Sequence, residues 1–193
     1  MKTFSGRKAS QNEFELKSFI QYLKDNNVRR YMEVGARHGD SFHEIMTNLP
    51  KGSYGLAMDL PGGLWGTIKS KEPLARAVED LNRNGYECQY MYADSQSSET
   101  SYIVSKMEKF DAILIDGDHT LRGVTQDWIN YKDRAQIIAF HDIVGTGQAE
   151  KVEGNPVEVP ILWAELKTKY QTIEFINTDS KMGIGICLPL LPL

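Results

Sequence analysis

Cysteine is scarce in this chain: Cys88 and Cys187 are its two thiols among 193 residues. Such a pair supports neither a disulfide framework nor a cysteine zinc site, and both sit in runs that read as strands, so each is expected to be a buried, reduced thiol. Long apolar runs are missing too. Nowhere do about 18 consecutive apolar residues occur, the length that a membrane-spanning helix needs. The opening MKTFSGRKASQNEF has no apolar stretch behind its basic residues. A soluble, cytoplasmic protein with no membrane partner is the expectation. Excess positive charge is also absent: 22 Lys and Arg stand against 26 Asp and Glu, a formal net charge of −4. That balance offers no electrostatic footprint for a phosphate backbone, which disfavours nucleic acid as a partner.

What is present is alternation. With 41% hydrophobic residues and a length suited to one domain, residues 1–193 are expected to share a single core. Ser10 to Glu13 reads as a capping box before Leu16, Phe19, Ile20 and Leu23, which predicts a helix over 11–26. Further helices are predicted from Ser41, with Ser41 to Glu44 as a second capping box, and over 72–84, 98–108, 120–133 and 157–169. Strands are predicted over 30–34, 53–58, 87–93, 110–115, 136–141, 171–177 and 183–188. The apolar run FDAILI (110–115) suits a central strand buried on both faces. The last two strands have no helix between them, so they must pair antiparallel. The reading is a doubly wound, Rossmann-like α/β fold with a mainly parallel seven-stranded sheet and a C-terminal antiparallel strand. Two irregular stretches, 61–71 and 144–156, follow strands and are candidate lids at the carboxyl edge, where open α/β sheets bind ligands.

The stretch YMEVGARHGDS (31–41) joins the first strand to the second helix. Its Gly35 and Gly39 tolerate positive φ and let backbone approach a ligand, and a helix start offers amides and a positive dipole end to an anionic group. A purely structural need for glycine in a tight turn is equally open. Glu33, Asp59 and Asp94 end three successive strands. An acid at the second tip suits ribose hydroxyls, and three together suit a nucleoside that carries a cationic centre.

The densest constellation is FDAILIDGDHTLRGVTQDW (110–128) followed by IIAFHDI (137–143). Asp116, Asp118 and His119 meet at one strand tip, and His141 and Asp142 at the next. Such a set binds a hard divalent cation or provides a general base, with Asp118 the first to be assigned to helix capping instead. His43 is read as surface, Trp65 as a loop anchor or base cover, and Trp128 and Trp163 as core.

Together these motifs resemble class I S-adenosylmethionine-dependent methyltransferases over roughly 28–188, with 1–27 as an N-terminal helical segment. More narrowly they resemble the bacterial group with an I-D-G-D-H signature, related to sugar and macrolide O-methyltransferases. The resemblance implies S-adenosylmethionine as cofactor, with Glu33, Gly35 and Gly39 at the methionine end and Ala36, His38 and Ser41 of the same turn among the cofactor-binding residues. It implies Asp59 and Leu60 at the ribose, Asp94 and Ser95 near the adenine, and Asp116 and Gly117 beside the cofactor. It further implies methyl transfer to a hydroxyl of a small-molecule acceptor, with His119 as base, His141 second and Asp116 supporting. Asp116, His141 and Asp142 occupy the positions that hold Mg²⁺ in metal-dependent relatives. His141 departs from the acid usual there, which leaves room for a softer ion or none. Two rival readings stay open: a nicotinamide-dependent oxidoreductase, against which the glycine spacing argues, and a nucleoside-binding module without chemistry. The apolar tail ICLPLLPL could pack on its own sheet or on a second subunit of a homo-oligomer.

Overall fold

Helix α1 (Glu13–Asp25) opens the fold and buries Leu16, Phe19, Ile20 and Leu23, as their spacing predicts. The computed structural model describes residues 4, 6, 11–64, 69, 71–148, 151–152, 154–179 and 181–192. Ser10 and Trp65 therefore lie outside the described residues. The cap of α1 is Asn12 rather than Ser10: the Asn12 side chain accepts from the backbone N–H of Phe14 at 2.9 Å, so the helix begins at Glu13.

Next come β1 (Arg30–Val34), α2 (Asp40–Asn48), β2 (Tyr54–Asp59), α3 (Lys71–Arg83), β3 (Glu87–Tyr92), α4 (Ser98–Lys106) and β4 (Phe110–Ile115). They are followed by α5 (Leu121–Tyr131), β5 (Ala135–His141), a short hairpin of β6 (Lys151–Val152) and β7 (Asn155–Pro156), α6 (Val159–Lys167), β8 (Tyr170–Phe175) and β9 (Ile184–Pro192). The seven-stranded sheet runs β3-β2-β1-β4-β5-β9-β8, with β4 at its centre as the apolar run FDAILI predicts. The pairs β1–β2, β1–β4, β2–β3 and β4–β5 are parallel, and β9 is antiparallel to both β5 and β8. The apolar tail is thus a strand of the chain's own sheet.

Each face of the sheet is covered by three helices. Leu16 and Phe19 of α1, Phe42 and Ile45 of α2 and Leu74 and Leu81 of α3 pack with Tyr31, Leu114 and Ile186 on one side. Val104 of α4, Val124 and Trp128 of α5 and Leu162 and Trp163 of α6 pack with Met32, Ile113 and Phe140 on the other. Strand residues alternate between the two clusters because successive side chains point to opposite faces. Trp128, Trp163 and both cysteines are buried, as read from the sequence. The chain leaves β1 in one direction along the sheet and β4 in the other, so a crevice opens between their carboxyl ends. Among the described residues, no helix is long and apolar enough to cross a membrane.

Candidate active site

A cavity of about 450 Å³ lies at that carboxyl edge, bordered by the turns after β1, β2, β3, β4 and β5. Its floor explains the glycines. Gly35 has φ +86°, and a Cβ there would lie 2.0 Å from the carbonyl oxygen of Asp116. The residue lets the turn after β1 pass directly against the turn after β4. The amides of Gly35 and Ala36 both donate to the Met58 carbonyl, at 2.8 and 2.9 Å, so they fasten the turn to β2. Gly39, φ +79°, faces α3 instead of the cavity: a Cβ there would lie 2.9 Å from that of Ala77. The structural reading of this glycine is the one the geometry favours.

Ser41 was expected to cap α2. The N-cap is Gly39, in the left-handed region, without a side-chain cap bond. Ser41 turns inward and donates its hydroxyl to Glu33 Oε1 at 2.5 Å, while Tyr31 donates its hydroxyl to Oε2 at 2.7 Å. Glu33 is fully buried behind the cavity wall, and burial pushes its carboxyl up to about 7 despite these two donors. Ser41 is diverted because a buried acid needs donors more than a helix start needs a cap.

Asp94 and Ser95 after β3 line one end of the cavity, with Asp59 and Leu60 next and Gly35, Ala36, His38 and Ser41 between them and the turn after β4. Asp59 is buried at the tip of β2, and its Oδ1 accepts the backbone N–H of Arg37 at 2.9 Å. Asp94 Oδ1 accepts the N–H of Gln96, which folds the turn after β3. The Ser95 carbonyl is held by the Tyr131 hydroxyl at 2.7 Å and by Asn130 Nδ2 at 3.0 Å.

At the other end Asp116, His119, His141 and Asp142 meet. His119 Nδ1 lies 2.7 Å from Asp142 Oδ2, and its Nε2 lies 3.5 Å from Asp116 Oδ1. His141 Nδ1 lies 3.2 Å from Asp116 Oδ1 and 3.4 Å from Asp142 Oδ1. Burial opposes a charge on either imidazole, yet the two carboxylates outweigh it and raise both above the ordinary histidine range. Burial would likewise raise Asp142, but the two histidines hold it below the usual carboxylate range. Asp142 itself has φ +60°, a strained conformation that clusters at functional sites. Asp116, His119 and Asp142 each offer one donor atom within 4.8 Å of the others, a spacing that suits a metal ion. The histidine of that trio is His119, whereas the resemblance pointed to His141.

Asp118 accepts the Thr120 N–H at 2.9 Å and a bond from Gln96, and Thr120 is the residue that caps α5. The capping expectation for Asp118 is therefore one step removed from the helix. His43 is paired with Asp80 at 2.9 Å rather than freely solvated, because α2 and α3 pack side by side. Among the cavity residues that the sequence reading did not single out, Gln11 donates to Asp116 Oδ2 at 3.3 Å, and Arg37, Gln96 and Met182 contribute to the wall. For Gln11 and Met182 no local signal exists, since they reach the site from far along the chain.

No protein-family model and no curated protein matches the sequence. Solved structures do. An O-methyltransferase from Bacillus cereus in complex with S-adenosylhomocysteine superposes with a TM-score of 0.66 at 14% identity, over 92% of this chain and 81% of that one. TomG from Streptomyces achromogenes, an O-methyltransferase involved in tomaymycin synthesis and bound to S-adenosylmethionine, gives 0.68 at 12% identity, over 96% and 83%. A caffeoyl-CoA O-methyltransferase from Staphylococcus aureus, so described on a provisional basis, gives 0.63 at 15%, over 93% and 85%. At such identities the likeness is one of fold, and the fold is that of the class I S-adenosylmethionine-dependent methyltransferases.

Proposed function

We propose that this chain is an S-adenosylmethionine-dependent methyltransferase that methylates a hydroxyl oxygen of a small molecule or sugar. One observation carries the reading: a single cavity has Asp59 and Asp94 at one end and, at the other, His119 between Asp116 and Asp142. Neighbours of the same fold that hold S-adenosylmethionine or its product support the cofactor. Asp59 would accept hydrogen bonds from the ribose hydroxyls, Asp94 and Ser95 would flank the adenine, and Gly35, Ala36, His38 and Ser41 would border the methionine end.

Methyl transfer needs little covalent help from the protein, because the sulfonium is already a good leaving group. The acceptor oxygen attacks the methyl carbon in line with the carbon–sulfur bond, which breaks to leave the neutral thioether. The hydroxyl proton must leave as well. Asp142 anchors His119 Nδ1, so Nε2 is the nitrogen that takes it, and Asp116 beside Nε2 steadies the imidazolium. His141 supplies a second cationic group beside the same carboxylates.

The donor set also fits a divalent ion, which Asp116, His119 and Asp142 would hold. An imidazole among two carboxylates suits first-row transition ions better than Mg²⁺, which prefers oxygen donors. When bound, such an ion would acidify the acceptor hydroxyl, and His119 would serve as its ligand instead of as proton acceptor, the hydroxyl proton leaving to solvent.

Calorimetric titration of the purified protein with S-adenosylmethionine, and separately with NAD, each with and without Mg²⁺ or Mn²⁺, tests the reading. Binding of S-adenosylmethionine without NAD is the expected result, and NAD binding alone would overturn it. Replacing His119 with alanine should lower turnover about 10²- to 10⁴-fold while cofactor affinity holds. Unchanged turnover would remove His119 from the mechanism.

A further inference from the structure

The turn that carries His119 is held from outside its own segment. Glu158 donates its backbone N–H to the His119 carbonyl oxygen at 2.8 Å and accepts the Leu121 N–H on Oε2 at 2.7 Å. One residue thus bonds both the histidine's own carbonyl and the amide two residues further on. Glu158 occupies the N-cap place of α6, yet its side chain makes no bond to that helix. It serves the first turn of α5 instead. Within that turn Thr120 bonds Asp118, and Gly123 bonds the Thr120 hydroxyl. Leu121 has its acceptor on another element, where a carboxylate also suits the positive end of a helix dipole.

Glu158 is itself fixed in place. Gly147, φ +71°, packs so closely that a Cβ there would lie 2.5 Å from Ile161 Cγ1 and 3.3 Å from Glu158 Cα. Three residues before Glu158, the Asn155 side chain donates to the Leu64 carbonyl at 3.3 Å, in the loop after β2 that borders the cavity. The segment 155–158 therefore links the loop after β2 to the histidine turn.

We propose that Glu158 is a positioning residue for His119, whose paired bonds fix the backbone at the histidine carbonyl and at Leu121 and so aim the imidazole between Asp116 and Asp142. The proposal rests on the assignment of His119 as proton acceptor in a methyltransferase. A small displacement of such a group is costly, since reacting groups must meet within a fraction of an ångström. Glu158 acts through the backbone and need not touch either substrate.

The test uses the full chain, with the His119 ring resonances followed by NMR and assigned by their loss in His119→Ala. Glu158→Ala should shift those resonances away from their native position, and Glu158→Gln, whose amide oxygen still accepts the Leu121 N–H, should restore them. S-adenosylhomocysteine, titrated by calorimetry, should bind all of these variants as it binds the native protein. If the alanine variant fails to fold, Glu158→Asp, which withdraws the acceptor by one methylene, is read in its place. Native His119 resonances in the alanine variant would overturn the proposal, as would equal shifts in the alanine and glutamine variants. Failure of the native protein to bind S-adenosylhomocysteine would overturn the methyltransferase reading, and the NMR result distinguishes that failure from one of Glu158.

Discussion

Nδ1 of His119 stands 2.7 Å from Oδ2 of Asp142, so this imidazole–carboxylate contact, the shorter of two, the other being His141–Asp116, joins the ends of β4 and β5. That contact sets the protonation of the candidate base. Burial alone would depress the histidine, and Asp142 is the largest of the influences that reverse it, ahead of the charge of Asp116. Asp142→Asn keeps the burial and removes the larger part of the compensation, leaving the charge of Asp116, so the His119 midpoint should fall from above the ordinary value toward or below it. A base works unprotonated, so the acid limb of methyl transfer should move to lower pH with that midpoint. NMR titration of His119 in the metal-free variant checks this, and an unmoved midpoint would show that Asp142 does not govern the imidazole.

Asp59 should matter most for the cofactor. It is buried at a strand tip, lines the cavity and already fastens the Arg37 amide. A hydrogen bond to a charged group contributes about 1.5–3 kcal/mol, so Asp59→Ala should weaken S-adenosylmethionine binding roughly 10- to 100-fold. Calorimetry reads the change directly. Native affinity in a folded variant would dissociate Asp59 from the ribose.

Gly35 should be nearly irreplaceable, for a reason unrelated to any ligand. An alanine there would be forced into positive φ with its Cβ 2.0 Å from the Asp116 carbonyl, so the β1 and β4 turns would have to separate. The expected loss is about 3 kcal/mol or more, the large end of single substitutions. Gly52 also has positive φ, but a Cβ there meets nothing within 4 Å, so Gly52→Ala should cost only about 1 kcal/mol. Urea unfolding of the two variants separates close approach from backbone strain, and equal losses would refute the packing account.

These residues also mark how far the sequence could be read. The alternation of strands and helices was legible because β4 is apolar except at Asp111 and the helices carry apolar stripes, and both patterns are local. The strand-tip residues Asp59, Asp94, Asp116, His119, His141 and Asp142 were legible for the same reason: topology brings every parallel strand's carboxyl end to one edge. Partnership was not legible. The inward turn of Ser41 depends on Glu33 being buried, and the bond from Glu158 to Leu121 spans 37 residues. The β6–β7 hairpin was hidden because two residues a side, one of them Pro156, give no alternation to detect. Which histidine joins the two aspartates depends on side-chain geometry at the tips, and neighbouring positions in a motif do not specify it.

Glu33 should make stability depend on pH. Its carboxyl is raised from 4.5 to about 7 by burial, so the folded state holds a proton there that the unfolded chain releases at lower pH. The sign follows: stability is full below the unfolded value, declines as pH rises from about 4.5 to 7, and levels off above. At about 1.4 kcal/mol per unit, the decline is of order 3 kcal/mol. Asp127, likewise buried and raised to about 7, adds a decline of the same sign that a change at Glu33 leaves in place. Glu33→Gln cannot ionise. It should be less stable than the native protein at pH 5, where it forfeits part of the bonding with Ser41 and Tyr31, and as stable or more so at pH 8. Urea unfolding at the two pH values, without cofactor, gives the comparison. A variant with the native protein's full pH slope would mean that the Glu33 proton is not what the fold retains.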